Sequence, residues 1–244
     1  MRLNDATVLV VDDEPDWRTI IADWFGREGS HVLIAENGAE ALNLIHANHV
    51  DVVVSDVRMP VMDGITLLRN IKADESYKPS VMFISGFSDI GPGEAYGLGV
   101  EAMLSKPVER KHLISAVTRV LTARDELWRV APGDKPDALL DAAFDSLATA
   151  LSQGLLAFGR GGFRIHSALN LREGPVALLL NFAADKRSVT GQGIVRWTAS
   201  AEVEIGVEIT YIDENNRAWI ISLTGANKSL SFIPCATPIA ITAP

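Results

Sequence analysis

A run of β-branched residues, Val52-Val53-Val54, ends in Ser55 and Asp56, turns through Met59-Pro60 and enters a helical pattern at Asp63-Gly64. A strand that passes into a helix through a short loop leaves its last side chains at the carboxyl end of a sheet, where open α/β sheets hold their ligands. The unit recurs, with apolar runs at Thr7–Val11, His31–Ala35, Asp51–Ser55, Ser80–Ser85 and Ala102–Leu104. Between the first two, Trp17, Ile20, Ile21, Trp24 and Phe25 recur at helical spacing. Pro15 suits the first turn of that helix and Gly29 lies just past its end. Asn37 can cap a second helix with Ala41, Leu42 and Ile45 on its face. Leu113, Val117, Val120 and Leu121 make the face of a fifth. Such alternation predicts a parallel, doubly wound, five-stranded α/β sheet covered on both sides.

Charged residues gather where these runs end. Asp12-Asp13 follows Val8–Val11, Asp56 closes the third run, and Lys106 follows the fifth. Carboxylates converging on one sheet edge suit Mg²⁺, which takes oxygen ligands, and a carboxylate can attack a phosphoryl group. Any one of these acids alone also reads as a helix cap; three carboxylates and a lysine at strand ends exceed what capping needs. The segments VLVVDDEP, SDVRMPVMDG, MFISG and LSKPVE, in that order and spacing, resemble the receiver domain of bacterial two-component response regulators, across residues 5–124. The resemblance implies a flavodoxin-like fold and a phosphoacceptor at Asp56. It implies that Asp12 and Asp13, with Asp56, organise Mg²⁺, and that Lys106 and the ion neutralise charge on the transferring group. It further implies a switch hydroxyl at Ser85, a cis Lys106-Pro107 bond, and a sensor histidine kinase as phosphoryl donor. The protein would then be an acceptor, not an enzyme, beyond its own dephosphorylation.

Two features depart from the family. Met103 stands where Tyr or Phe is usual, and methionine cannot make a phenolic hydrogen bond. The expected fourth helix, Ser88–Gly97, contains Gly91, Pro92, Gly93 and Gly97, which oppose helix interiors, so it should be short, late or distorted. Phosphorylation is therefore expected to be reported differently from the common switch.

The 244 residues suit two small cores, and 48% apolar content indicates globular material. A net charge of −9 argues against a nucleic-acid-binding output. Cys235 is the only cysteine, so no internal disulfide forms and a reducing compartment is expected. Asp12-Asp13-Glu14 interrupts the N-terminal apolar stretch, which does not read as a signal peptide. No apolar run approaches the roughly 18 residues of a membrane helix, and a cytoplasmic location is expected.

Residues 125–152 read as a linker. The fifth helix runs to about Trp128, then Pro132, Gly133 and Pro136 break it. A new amphipathic helix follows, with Leu140, Ala143, Phe144, Leu147, Ala148 and Leu151 in one stripe. The stripe either packs on the second domain or, left exposed, forms a homodimer. From residue 153 the pattern is short, alternating and glycine-punctuated. Strands are predicted at Gly162–Ser167, Val176–Phe182, Ser188–Trp197 and Val203–Tyr211, with turns including Ala199-Ser200-Ala201, a closing helix at Asp213–Leu223 and a tail, Ser231–Pro244, lying as an edge segment. This predicts an antiparallel β-barrel or sandwich over residues 153–244.

Gly193, Val195 and Trp197, followed by Gly206, Val207 and Ile209, resemble the second half of PilZ domains, with Gly162 and Gly174 fitting upstream. PilZ domains typically bind cyclic di-GMP through paired arginines and a D/N-x-S-x-x-G motif. Here Ala157 and Gly159 stand at the acidic and serine positions, and SLATALSQGLLAF before them carries no cation. A site without its polar anchors loses most of its specificity, so weak or no cyclic di-GMP binding is expected. Arg160, Arg164 and Arg196 remain as surface contacts or solvated strand residues. Trp197 is expected in the core or at the rim, and His166 as a lone structural histidine.

The leading expectation is a response regulator whose degenerate PilZ-like half acts on an unknown downstream protein. The alternative couples the receiver to genuine cyclic di-GMP sensing. A small catalytic barrel is disfavoured by the lack of a convergent His, Cys or carboxylate set. A DNA-binding output lacks a helix-turn-helix pattern.

Overall fold

The computed structural model describes residues 2–74, 79–86, 89–123, 126–129, 136–199, 203–224 and 231–234. Ser88, Cys235, Ser200, Ala201, the break at Pro132-Gly133 and the tail beyond residue 234 lie outside the described residues. The chain divides into two compact units, Met1–Thr122 and Ala123–Pro244.

In the first unit, β1 (Thr7–Val11), β2 (His31–Ala35), β3 (Val52–Asp56), β4 (Ser80–Ser85) and β5 (Ala102–Ser105) form a parallel sheet of order β2-β1-β3-β4-β5. The connecting helices are α1 (Pro15–Arg27), α2 (Gly38–Ala47), α3 (Gly64–Ala73), α4 (Pro92–Gly97) and α5 (Arg110–Leu121). β3 is buried along its whole length, which is why it carries an unbroken apolar run instead of an alternating one. Val8, Val10, Val52, Val54, Met82 and Ile84 share a core with Ile21 and Phe25 of α1 and Leu113, Val117 and Val120 of α5. Leu9, Val53 and Phe83 alternate to the other face and are equally buried.

Local chemistry sets the helix starts. Pro15 opens α1. The Asn37 side chain accepts from the Ala39 and Glu40 N–H groups, and Asp63 accepts from Thr66 N–H at 2.7 Å. α4 has six residues and begins only at Pro92, short and late as its glycines require. α5 stops at Leu121, not near Trp128. Trp128 belongs to the second unit, where it is buried and its indole N–H donates to the Gly161 carbonyl at 3.2 Å.

The second unit holds a six-stranded sheet of order β6-β9-β10-β11-β8-β7. Its strands are β6 (Ala138–Phe144), β7 (Leu156–Phe158), β8 (Gly162–His166), β9 (Gly174–Phe182), β10 (Arg187–Ala199) and β11 (Glu204–Ile212), with helices α6 (Leu147–Ser152) and α7 (Glu214–Thr224).

Two expectations are corrected here. The linker helix is a strand followed by a short helix: Ala138–Phe144 pairs in parallel with β9, from Ala138 opposite Val176 to Phe144 opposite Phe182. Ala138, Leu140, Ala142 and Phe144 also satisfy a period of two, and a neighbouring ladder decides between the two periods. The Ser146 hydroxyl then caps α6, accepting from Thr149 N–H. The dimer-forming stripe on one helix loses its basis with that helix. Within residues 153–244 the strands β7–β11 pair antiparallel, as expected. β6, however, adds a parallel edge beside β9, and among the described residues the ladder is open between β6 and β7, not a closed barrel.

The described tail, Ser231–Pro234, lies against β7–β8 without forming a strand. The Arg160 and Gly161 N–H groups donate to the Ser231 and Phe232 carbonyls, each at 2.8 Å. Among the described residues no helix is long and apolar enough to cross a membrane.

Candidate functional site

The carboxyl ends of β1, β3 and β5 bring Asp12, Asp13, Asp56 and Lys106 together. A ligand oxygen from each of Asp12, Asp13 and Asp56 lies within 4.8 Å of the others. Asp12 and Asp56 are buried, while Asp13 faces solvent. Lys106 Nζ donates to Asp56 Oδ2 at 3.0 Å and Asp12 Oδ2 at 3.2 Å, and lies 3.6 Å from Glu14. The Lys106-Pro107 peptide is cis, and Lys106 N–H donates to the Ser85 carbonyl at 2.8 Å.

The remaining oxygens of the two buried aspartates are held by backbone. Val57 N–H donates to Asp56 Oδ1 at 2.7 Å, and Glu14 N–H donates to Asp12 Oδ1 at 2.9 Å. Arg18 donates to the Asp12 carbonyl. Gly64 at the start of α3 packs on the Asp56 carbonyl, where a Cβ would collide with it. Glycine is thus required where the helix meets the end of β3.

Burial pushes the Asp56 carboxyl above its ordinary pKa, and Asp12 adds to this, against the Lys106 ammonium and the Val57 N–H. Burial opposes charge on Lys106, but hydrogen bonds and charges from Asp56 and Asp12 outweigh it and hold its pKa above the ordinary value. Three aspartates and Glu14 facing one lysine leave an acidic excess. Such an oxygen-rich group can take a hard divalent cation.

Ser85 is fully buried at the end of β4, one residue past Ile84, the partner of Asp56. Its hydroxyl lies 2.9 Å from the Gly86 carbonyl and 3.2 Å from Asp89 Oδ2, both acceptors. Asp89 Oδ2 also accepts from Gly86 N–H at 2.7 Å, and Asp89 Oδ1 pairs with Arg58 Nε at 2.5 Å. Sequence reasoning missed Arg58, Asp89 and Glu14. Arg58 and Glu14 lie inside the quoted segments; nothing in the sequence marks Asp89, because its partners are set by the fold of the loop after β4.

In the second unit the expected surface arginines are engaged. Arg164 pairs with Glu204, and Arg196 with Glu208 at 2.5 Å. Both glutamates are buried on β11. Arg160 lies over the Phe232 ring, 5.3 Å from its centroid. Trp197 is buried against Gly206, where any Cβ would meet the indole. Gly159 sits under the Ser231 and Phe232 carbonyls, leaving no room for a side chain. His166 is exposed on β8.

A doubly wound parallel sheet with an acidic pocket at its carboxyl edge defines the class of the first unit. Residues 8–118 match the response regulator receiver domain, and the N-terminal half of the chain is a receiver domain. The chain is 35% identical over 130 residues to the transcriptional regulatory protein GlrR of Escherichia coli K12, covering 52% of this chain and 29% of that one. It is 34% identical over 126 residues to the sensor histidine kinase RcsC of the same organism, covering 50% and 13%. Among solved structures, a response regulator receiver domain protein from Clostridium thermocellum is 30% identical, covering 48% of this chain and 94% of that one, with a TM-score of 0.45. The chain thus spans less than a third of these curated relatives.

Proposed function

We propose that the chain is a response regulator in which Asp56 accepts a phosphoryl group from a sensor histidine kinase and a PilZ-like second half passes the signal on by protein contact. The observation that carries it is the Asp56 carboxylate, bonded to Lys106 at 3.0 Å and grouped with Asp12 and Asp13. Asp56 Oδ2 forms the new bond to phosphorus as the phosphorus–nitrogen bond of the donor phosphohistidine breaks, and the imidazole leaves with that electron pair. Lys106 stabilises negative charge on the transferring group. Asp12, Asp13 and Asp56 would hold Mg²⁺, which when bound neutralises charge on the phosphoryl oxygens. Val57 N–H holds Asp56 Oδ1 and Lys106 Nζ holds Oδ2, and we take Oδ2 as the attacking oxygen because it lies beside the ammonium that meets the charge of the transferring group. A cytoplasmic location follows from this reading.

The test is phosphorylation by acetyl phosphate in Mg²⁺, read on phosphate-affinity gels. Wild-type protein gains one phosphoryl group and Asp56→Asn gains none. Labelling of Asp56→Asn at the wild-type level would sink the assignment.

Support for a non-sensing second half comes from its arginines. Arg164 and Arg196, cations outside the missing motif, are each neutralised by a buried glutamate. Residues 231–232 cover the backbone at Gly159–Gly161. Calorimetry with cyclic di-GMP is expected to give no heat of binding; micromolar affinity would favour the alternative, a receiver coupled to a nucleotide sensor.

A further inference from the structure

Asp89 gathers three donors of the kind that bind a phosphoryl group. They are a backbone N–H from Gly86 at 2.7 Å, the Ser85 hydroxyl at 3.2 Å and the Arg58 guanidinium at 2.5 Å. Two of the three stand next to the acceptor. Arg58 is two residues beyond Asp56 in sequence, and Ser85 ends the strand beside it. The Asp89 side chain is largely buried, and Gly86 lets it approach closely, since a Cβ there would stand 2.9 Å from Asp89 Oδ2. A serine hydroxyl has one proton. Asp89 Oδ2 and the Gly86 carbonyl are the two acceptors within its reach, so that proton goes to one of them and away from Asp56.

We propose that Asp89 is a positioning residue that stands in for the phosphoryl group, holding Ser85, Gly86 and Arg58 until Asp56 is modified. The proposal rests on the phosphoacceptor reading of Asp56. Phosphorylation replaces the single charge of the Asp56 carboxylate by the roughly two charges of a phosphoryl group, and these compete with the single charge of Asp89 for the same donors. Each donor that moves to the phosphoryl group must first leave Asp89. The Arg58–Asp89 pair also ties the loop after β3 to the loop after β4, so its release removes one tie between them. Asp89 therefore sets how easily the modified state is reached without touching the acceptor.

The test is the affinity of the full chain for beryllofluoride with Mg²⁺, read by fluorine NMR. Asp89→Asn keeps an acceptor for Gly86 and gives up the charge. It is expected to bind the probe about fivefold more tightly, the scale set by a partly exposed ion pair. The gain should vanish with Arg58→Ala and Ser85→Ala both in place, because no side-chain donor is then left to release. An unchanged or weaker affinity in Asp89→Asn overturns the proposal, as does a gain that persists in that double background. Melting of each variant without probe checks folding, and Asp89→Ser supplies the same comparison if Asp89→Asn is poorly folded. If wild-type protein fails to bind the probe, or Asp56→Asn binds it equally, the phosphoacceptor reading itself fails. Wild-type binding that depends on Asp56 but ignores Asp89 removes only this inference.

Discussion

At the carboxyl edge of the first sheet, three aspartates and Glu14 face one lysine. Across the strands of the second, two glutamates face two arginines. The first group is unbalanced and open to solvent through Asp13, so it keeps a net demand for positive charge. The second is balanced one to one around β11, so its charges pair off, although Arg164 Nε and Glu204 Oε2 are buried without a hydrogen-bond partner among the described residues. Burial of charge thus has two meanings in one chain. An excess points to a ligand, and a balance points to architecture, because a buried charge without its partner is costly.

The largest expected effect breaks the balanced half. Glu204→Ala leaves Arg164 without its buried partner and should cost about 3 kcal/mol of stability in chemical denaturation. Replacing Arg164 and Glu204 together by leucine should cost much less. A single-variant loss under about 1 kcal/mol would mean that the pair is not structural, and the face would become a candidate for ligand binding.

Next is the unbalanced half. Asp13→Asn removes one oxygen ligand from the acidic group and should weaken Mg²⁺ binding about tenfold by calorimetry, about 1.4 kcal/mol. An unchanged affinity would place the cation elsewhere.

The smallest effects have opposite signs in the two halves. Burial raises the Asp56 pKa, so the folded state binds that proton more tightly than the unfolded chain does. This contribution to stability is present below the ordinary 3.8 and falls away as pH rises through the raised value. Asp56→Asn should therefore raise the melting midpoint at pH 7 by about 2–4 °C; a lowered midpoint would contradict this. At Asp213 burial is outweighed by hydrogen bonds from Asn216 and Asn215, which lower the pKa. Its contribution is present above 3.8 and lost as pH falls through the lowered value. Asp213→Ala should cost about 1 kcal/mol at pH 7, with the difference from wild type shrinking in acid. A constant difference would rule out the ionised carboxylate as the source.

Much of the first unit is legible from local pattern. Its strands are short apolar runs buried on both faces, and each ends at a residue whose chemistry differs sharply from the run. The Asp12, Asp13, Asp56 and Lys106 group could be named because a parallel sheet places every such end on the same edge. Ser85 was found as a residue, but its hydroxyl partner was not. Asp89 meets it through loop geometry that leaves no periodic trace.

The second unit shows where local pattern fails. Residues 138–144 fit a helical stripe and a strand alternation equally well, and only the edge of β9 chose the strand. Arg164 and Arg196 looked like solvated strand residues, yet they meet glutamates that are 40 and 12 positions away. By itself, then, the sequence determined the receiver sheet, the ends of its strands and the acidic identity of its edge, because burial and capping act over a few neighbouring residues. The tertiary structure alone decided the β6 pairing, the arginine–glutamate pairs and the hold of Asp89 on Ser85, because each depends on which distant segments the folded chain brings within hydrogen-bond reach.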